Sequence, residues 1–159
     1  MRKLDAIDRR ILTWLQTDNQ ISNVELAKRV GLSAPACLKR VRALRESKVI
    51  VADVSIIDPK ALGKQITVIV EVVLARASID VVDNFKRKMV RRPEVSQCYL
   101  VAGDPDVVLV VQFADVEAYE HFLTSVLYSD SSIGTVISLI VVNRVKFQPR
   151  VHISEGEAR

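Results

Sequence analysis

The chain has 159 residues, 49% of them hydrophobic and 26% charged, and a net charge of +4 at neutral pH. That length holds one medium domain or two small ones, the composition is that of a folded chain, and no apolar run reaches the roughly 18–20 residues of a bilayer span. The charge is uneven: residues 1–60 carry 12 Lys and Arg against 7 Asp and Glu, and residues 61–159 carry 11 against 12.

Asp5, Asp8, Arg9 and Arg10 interrupt any signal-peptide-like stretch at the N-terminus, and only Cys37 and Cys98 are present. Both point to the reducing cytoplasm, with the cysteines as small hydrophobes rather than a redox pair. The basic excess concentrates in Lys28, Arg29, Lys39, Arg40, Arg42, Arg45 and Lys48, opposed within that stretch only by Glu46. A basic face can simply be solvated, but its confinement to one small region favours a polyanionic partner.

Leu4, Ile7, Ile11 and Leu15 recur at helical spacing, which predicts a first helix ending near Asp18. Ser22-Asn23-Val24-Glu25 reads as a capping box opening a second helix, and Gly31 tolerates the positive φ of an abrupt stop. A third helix follows, with Ser33 as cap, Pro35 in its first turn, and Leu38, Val41 and Leu44 as its buried stripe beside Cys37. Ala36, Lys39 and Ala43 fall on the opposite face, flanked by Arg40 and Arg42. Two short helices, a tight turn and small and basic residues outward specify a helix-turn-helix. The alternative is an ordinary three-helix core with a solvated third helix. On the first reading, the candidate DNA contacts are Ser22, Asn23, Ser33, Pro35, Ala36, Lys39, Arg40, Arg42 and Arg45. The β-like runs Val49–Val51 and Val54–Ile57 are read as the hairpin of a wing, and Lys60–Gly63 as a hinge.

Beyond the hinge the pattern alternates. Strands are expected at 66–75, 95–102, 107–113 and 136–147. Between them lie a helix capped by Ser78, with Ile79, Val82, Phe85 and Met89 inward, and one capped by Asp115, with Val116, Tyr119, Phe122 and Val126 inward. Gly103-Asp104-Pro105-Asp106 is a tight turn. The order β-α-β-β-α-β is ferredoxin-like. Its strands barely alternate, so both sheet faces are apolar, although helices in such a fold cover one face only. The second face is therefore expected to pack on another copy of itself, pairing the recognition helices with the symmetry of a palindromic operator.

Residues 21–33, with Pro35, Cys37-Leu38 and Arg40-Val41, resemble the helix-turn-helix of the Lrp/AsnC ("feast/famine") family, and Leu4–Leu12 is similar to that family's first helix. The resemblance continues from Gly103-Asp104-Pro105-Asp106 to Val145-Lys146. It implies an α+β chain: a winged helix-turn-helix (1–50), a wing and hinge (51–64), a ferredoxin-like RAM/ACT-like effector and oligomerisation domain (65–148) and a polar tail (149–159) expected to be disordered after Ile153. It further implies a nucleoid-associated, cytoplasmic homodimer, assembling to a tetramer or octamer, that binds double-stranded DNA. An amino-acid effector would lie between dimers at Tyr99, Val101, Gly103, Asp104, Pro105, Asp106, Thr135, Val136 and Ser138, and no metal, cofactor or catalytic residue is implied. Val107 departs from the aromatic residue common after this turn. Two alternatives are a sirohaem-decarboxylase-like enzyme of the same architecture and an amino-acid sensor without DNA binding. Against the enzyme, His121 and His152 have no evident partner in sequence, and no metal spacing, nucleophile motif or phosphate loop is visible.

Overall fold

A computed structural model describes residues 3–76 and 78–153. It divides the chain into two compact units, one made of Met1–Ile56 and Phe147–Arg159, the other of Ile57–Lys146. Residues 147–153 thus return to the first unit; residues 154–159, where disorder was expected, lie outside the described residues.

In the first unit, α1 (Ala6–Thr17) begins at Asp5, whose carboxylate accepts from the Asp8 amide at 2.7 Å. Ser22 opens α2 (Asn23–Val30) by accepting from the Glu25 amide, and Gly31 closes it at φ 74°. Only this half of the capping box is made as expected; the Glu25 carboxylate instead accepts from Arg29 Nε at 2.9 Å. In α3 (Ala34–Glu46) the buried stripe is Cys37, Val41 and Leu44, while Leu38 is 37% exposed. The stripe begins one residue earlier than expected, because Cys37, Val41 and Leu44 are the set spaced i, i+4, i+7 that meets Ile11, Leu26 and Val30. Lys48 ends the helix in the left-handed region at φ 57°, and the Val49 amide reaches back to the Leu44 carbonyl.

The wing hairpin does not form. Residues 51–58 contain no strand. Val49 and Ile50 turn in against the helical core, and Asp53 is held by Arg45, leaving the exposed Val51 and Val54 with nothing to pair. Further on, the Gln16 side chain both donates to the Val151 carbonyl and accepts from its amide, fastening the returning segment to α1.

The second unit opens with a short 3-10 turn at Pro59–Leu62, where a hinge was expected. It is a four-stranded antiparallel sheet of β1 (Ile66–Leu74), β2 (Val95–Leu100), β3 (Val107–Phe113) and β4 (Ile133–Ile140), in the order β2-β3-β1-β4. Two helices, α4 (Ile79–Val90) and α5 (Val116–Phe122, continued by a π turn through Leu127), complete the ferredoxin-like order. Val68, Val70, Val72, Val107, Leu109 and Val111 meet Phe85, Met89, Phe122 and Leu127 in one core. Cys98 also packs against this core; burial pushes both thiols, Cys37 and Cys98, above their ordinary range.

β4 starts and stops earlier than expected. It runs antiparallel to β1 with Ile140 opposite Val68, and the Val141 amide makes the last rung to Thr67. Since β1 begins at Ile66, it does not extend alongside residues 143–147, and β4 ends before them. Ile79 and Val116, read as inward, are both mainly exposed, each sitting at the first turn of its helix ahead of the contact with the sheet. Phe85→Ala should therefore cost about 3–5 kcal/mol of unfolding free energy. Ile79→Ala, at a side chain 81% exposed, should change it by less than about 0.5 kcal/mol. Urea denaturation of the two variants checks the contrast.

Candidate nucleic-acid interface and effector site

The turn between α2 and α3 is held by its own backbone and by one side chain. The Leu32 amide donates to the Ala27 carbonyl, and the Asn23 amide group donates to the Ala34 carbonyl at 2.7 Å. Asn23 thus spends its side chain holding the start of α3, and Ser22 spends its hydroxyl capping α2. Ser33 stands at the N-cap of α3 with its hydroxyl making no cap bond, and Pro35 and Ala36 follow, both exposed.

The cations of α3 divide into two sets. Lys39 and Arg42 project into solvent with no ion pair to another described residue. Arg40 turns inward: its guanidinium donates to Asp5 Oδ2 at 2.6 Å and to Asp8 Oδ1 at 2.9 Å. Asp8 is 1% exposed, the one buried charged residue among those described. Arg40 therefore fastens α3 to α1, a structural task that occupies the group expected to reach DNA. Arg45 is held on one oxygen of Asp53, Nε at 3.1 Å and an Nη at 3.0 Å, in an exposed pair that a phosphate could displace. The sequence did carry a signal for Arg40: it stands three residues after Cys37 and four before Leu44, on the edge of the buried stripe, with two aspartates at the start of the first helix.

On α1, Trp14 lies under the Arg29 guanidinium, 4.2 Å from the ring centroid, and Arg10 donates to the Arg29 carbonyl. Arg29 is accordingly taken up in joining α1 to α2.

In the second unit, Gly103 has φ 138°, a conformation that L side chains rarely adopt. The turn behind it is tied to β1 through Asp106. Its amide donates to the Val72 carbonyl, its carboxylate accepts from the Leu74 amide at 2.7 Å, and its carbonyl accepts from the Val101 amide. Asp106 thus anchors the turn, leaving Gly103 and Asp104 exposed at its tip.

The strands do not bring all of the expected effector residues together. Cross-strand register puts Tyr99 opposite Val108, Val108 opposite Glu71, and Thr135 opposite Val73, all on the face away from the helices. Val136 and Ser138 are opposite Val72 and Val70 and so face the helices. Val136 packs on the core, and the Ser138 hydroxyl bonds the phenol of Tyr119, which burial pushes above its ordinary value. Tyr99 and Thr135 lie on opposite edge strands, three strand spacings or about 14 Å apart, and the Tyr99 hydroxyl donates to Gln97. The helix-free face between them is lined by Ile69, Val73, Val108 and Val110, all half-buried, with exposed Ile137 and Leu139 beside them.

Residues 4–45 match the AsnC-type helix-turn-helix domain, and residues 67–151 match the Lrp/AsnC ligand binding domain. The chain is 38% identical over 152 residues to the leucine-responsive regulatory protein of Escherichia coli K12, covering 96% of this chain and 93% of that one. It is 42% identical over 144 residues to an uncharacterized HTH-type transcriptional regulator of Sinorhizobium fredii, covering 91% and 85%. Among solved structures it is similar to a transcriptional regulator from Neisseria meningitidis in complex with L-Met, with a TM-score of 0.88, 27% identity and coverage of 94% and 97%. An AsnC family regulator from Agrobacterium tumefaciens gives 0.87 and 32%, with the same coverage.

The Arg40 contact has a measurable signature. The Asp5 carboxyl is held below its ordinary value of 3.8, first by the Asp8 amide and then by the Arg40 guanidinium. Its contribution to stability is fully present above that value and is lost as the pH falls through the lower folded value. Arg40→Gln should cost about 1–3 kcal/mol at neutral pH, less than a fully buried pair because Arg40 reaches solvent. The gap from the parent should narrow in acid, as urea melts at neutral and acidic pH would show.

Proposed function

This chain belongs to the Lrp/AsnC family of ligand-modulated, DNA-binding transcriptional regulators, and on that premise we propose that it lays α3 in the major groove of a palindromic operator as a symmetric homo-oligomer, under the control of an amino acid or related small metabolite held between copies. The observation that carries the DNA contact is the division of cations on α3. Lys39 and Arg42 stand unpaired on the exposed side, next to Pro35 and Ala36, whose small side chains allow close approach to the groove. Ser33 offers its uncommitted hydroxyl, and Arg45 exchanges Asp53 for phosphate. Ser22, Asn23 and Arg40 act indirectly, Ser22 by capping α2 and Asn23 and Arg40 by holding α3. No helix among the described residues is long and apolar enough to cross a membrane, and the protein is read as a cytoplasmic one that works at the nucleoid, without catalysis.

Two features support effector control through oligomers. The helix-free face of the sheet is an apolar surface of the kind that soluble proteins cover. Tyr99 and Thr135 of one chain are too far apart to grip one small ligand, so a site that uses both draws them from different copies. The turn at Gly103 then offers exposed backbone to a carboxylate. Because the Neisseria relative is an L-Met complex, amino acids are the class to test, methionine among them.

Lys39→Gln and Arg42→Gln should each reduce the slope of log affinity against log salt by about 0.9 if they meet phosphates, or relax base preference if they meet bases. Fluorescence anisotropy on the protein's own promoter DNA measures both, and the absence of any salt-sensitive affinity there would sink the DNA reading. Ile137→Glu with Leu139→Glu places acids beside Glu71 on the helix-free face, and should reduce the assembly to monomers in sedimentation. The same variant should lose the thermal shift given by whichever amino acid stabilises the parent, about 2.7 kcal/mol at a hundred times the dissociation constant. A variant that sediments like the parent would remove the shared-face reading.

A further inference from the structure

The second unit carries a cationic surface that the helix-turn-helix reading does not use. Five cations, Lys86, Arg87, Lys88, Arg91 and Arg92, fall within seven residues at the end of α4, in a part of the chain that is otherwise acidic. Two of them are neutralised: Lys86 bonds Asp83 and Lys88 bonds Asp130, each at 2.7 Å. Arg87, Arg91 and Arg92 are exposed and have no ion pair or hydrogen bond from their guanidinium groups to another described residue. They line an open groove of about 400 Å³ with Asn84, Lys88 and Pro93.

Helix capping does not account for this cluster. Cations favour a helix C-terminus, but here the carbonyls of Lys88 and Met89 are taken by the backbone amides of Arg91 and Arg92, not by guanidinium groups. Glu94, the next acid along the chain, does not line the groove. Arg87 shares the field of Asp83 with Lys86, but Arg91 and Arg92 have no acidic partner among the described residues.

We propose that this groove is a second nucleic-acid contact, in which Arg87, Arg91 and Arg92 bind the phosphate backbone of duplex DNA without reading its sequence. The groove has cations but no aromatic side chain for bases to stack on, which suits a duplex backbone better than a single strand. The proposal rests on the DNA-binding function above and adds to it a contact outside the helix-turn-helix.

The test uses the full chain and a duplex several helical turns long, titrated over a salt series. The triple variant Arg87→Gln, Arg91→Gln, Arg92→Gln should lower the slope of log affinity against log salt by about 2–3, near 0.9 for each phosphate no longer neutralised. Its thermal melting and sedimentation should match the parent's, because the three side chains are exposed. The triple Lys variant should restore the slope, since counterion release depends on charge. Combined with K39Q/R42Q, the Gln variant should bind more weakly than either set of substitutions alone. A Gln variant that titrates like the parent would overturn the proposal; so would one that keeps its DNA affinity while losing a thermal shift given by inorganic pyrophosphate, which would make the groove a small-anion site. If K39Q/R42Q has no effect while the α4 variant abolishes binding, the helix-turn-helix reading fails and this one stands.

Discussion

The buried carboxylate of Asp8 constrains the DNA-facing unit more than any other single group. A carboxylate withdrawn from water must be partnered, and the cost of leaving it without a cation is far larger than the net value of an ordinary hydrogen bond. Arg40 answers it from α3, and the same guanidinium also donates to Asp5 at the cap of α1. Once Arg40 is directed at α1, the rotation of α3 about its axis is set. Cys37, Val41 and Leu44 go down into the core, and Lys39 and Arg42 emerge on the far side. The arginine of α3 that is committed to α1 thus determines which cations of that helix remain available to a partner.

Charge counted along the chain overstates the charge that reaches solvent. On α3, aspartates from α1 and from the segment after the helix take up Arg40 and Arg45. On α4, Asp83 and Asp130 take up two lysines; the Lys88 ammonium and the Ser132 groups hold the Asp130 carboxyl below its ordinary value against the opposing effect of burial. What remains is a small unpaired set on each helix, in different units of the molecule. Asp83 and Asp53 are near neighbours in sequence, but Asp5, Asp8 and Asp130 are more than thirty residues from the cations they take up, so that part of the selection is a property of the fold and not of the composition.

The sheet follows a related logic with apolar groups. Strict alternation on β1 and β3 sends Val68, Val70, Val72, Val107, Leu109 and Val111 to the helices and closes a core. The residues between them are also largely apolar, and the fold offers no third layer to cover them. One face of the sheet builds the unit, and the other is suited to association. The same pleat separates the expected effector residues, because neighbours in sequence such as Thr135 and Val136 must point to opposite faces.

The order of elements, the helix caps at Ser22 and Asp115 and the positive φ of Gly31 follow from local chemistry, so the sequence by itself determined them. Periodicity, capping and turn residues act within a few positions of one another, although the serines at the N-caps of α3 and α4, Ser33 and Ser78, make no cap bond. Tertiary structure decided what depends on remote partners. It decided that β4 stops where β1 begins, that the runs after α3 find no strand to pair with, that Ser138 serves Tyr119 and Val136 the core, and that Arg40 serves Asp8 while Lys39 stays outside. The physical reason is the same in each case: hydrogen bonding, ion pairing and burial are settled between groups tens of residues apart, and a pattern read along the chain does not carry that distance.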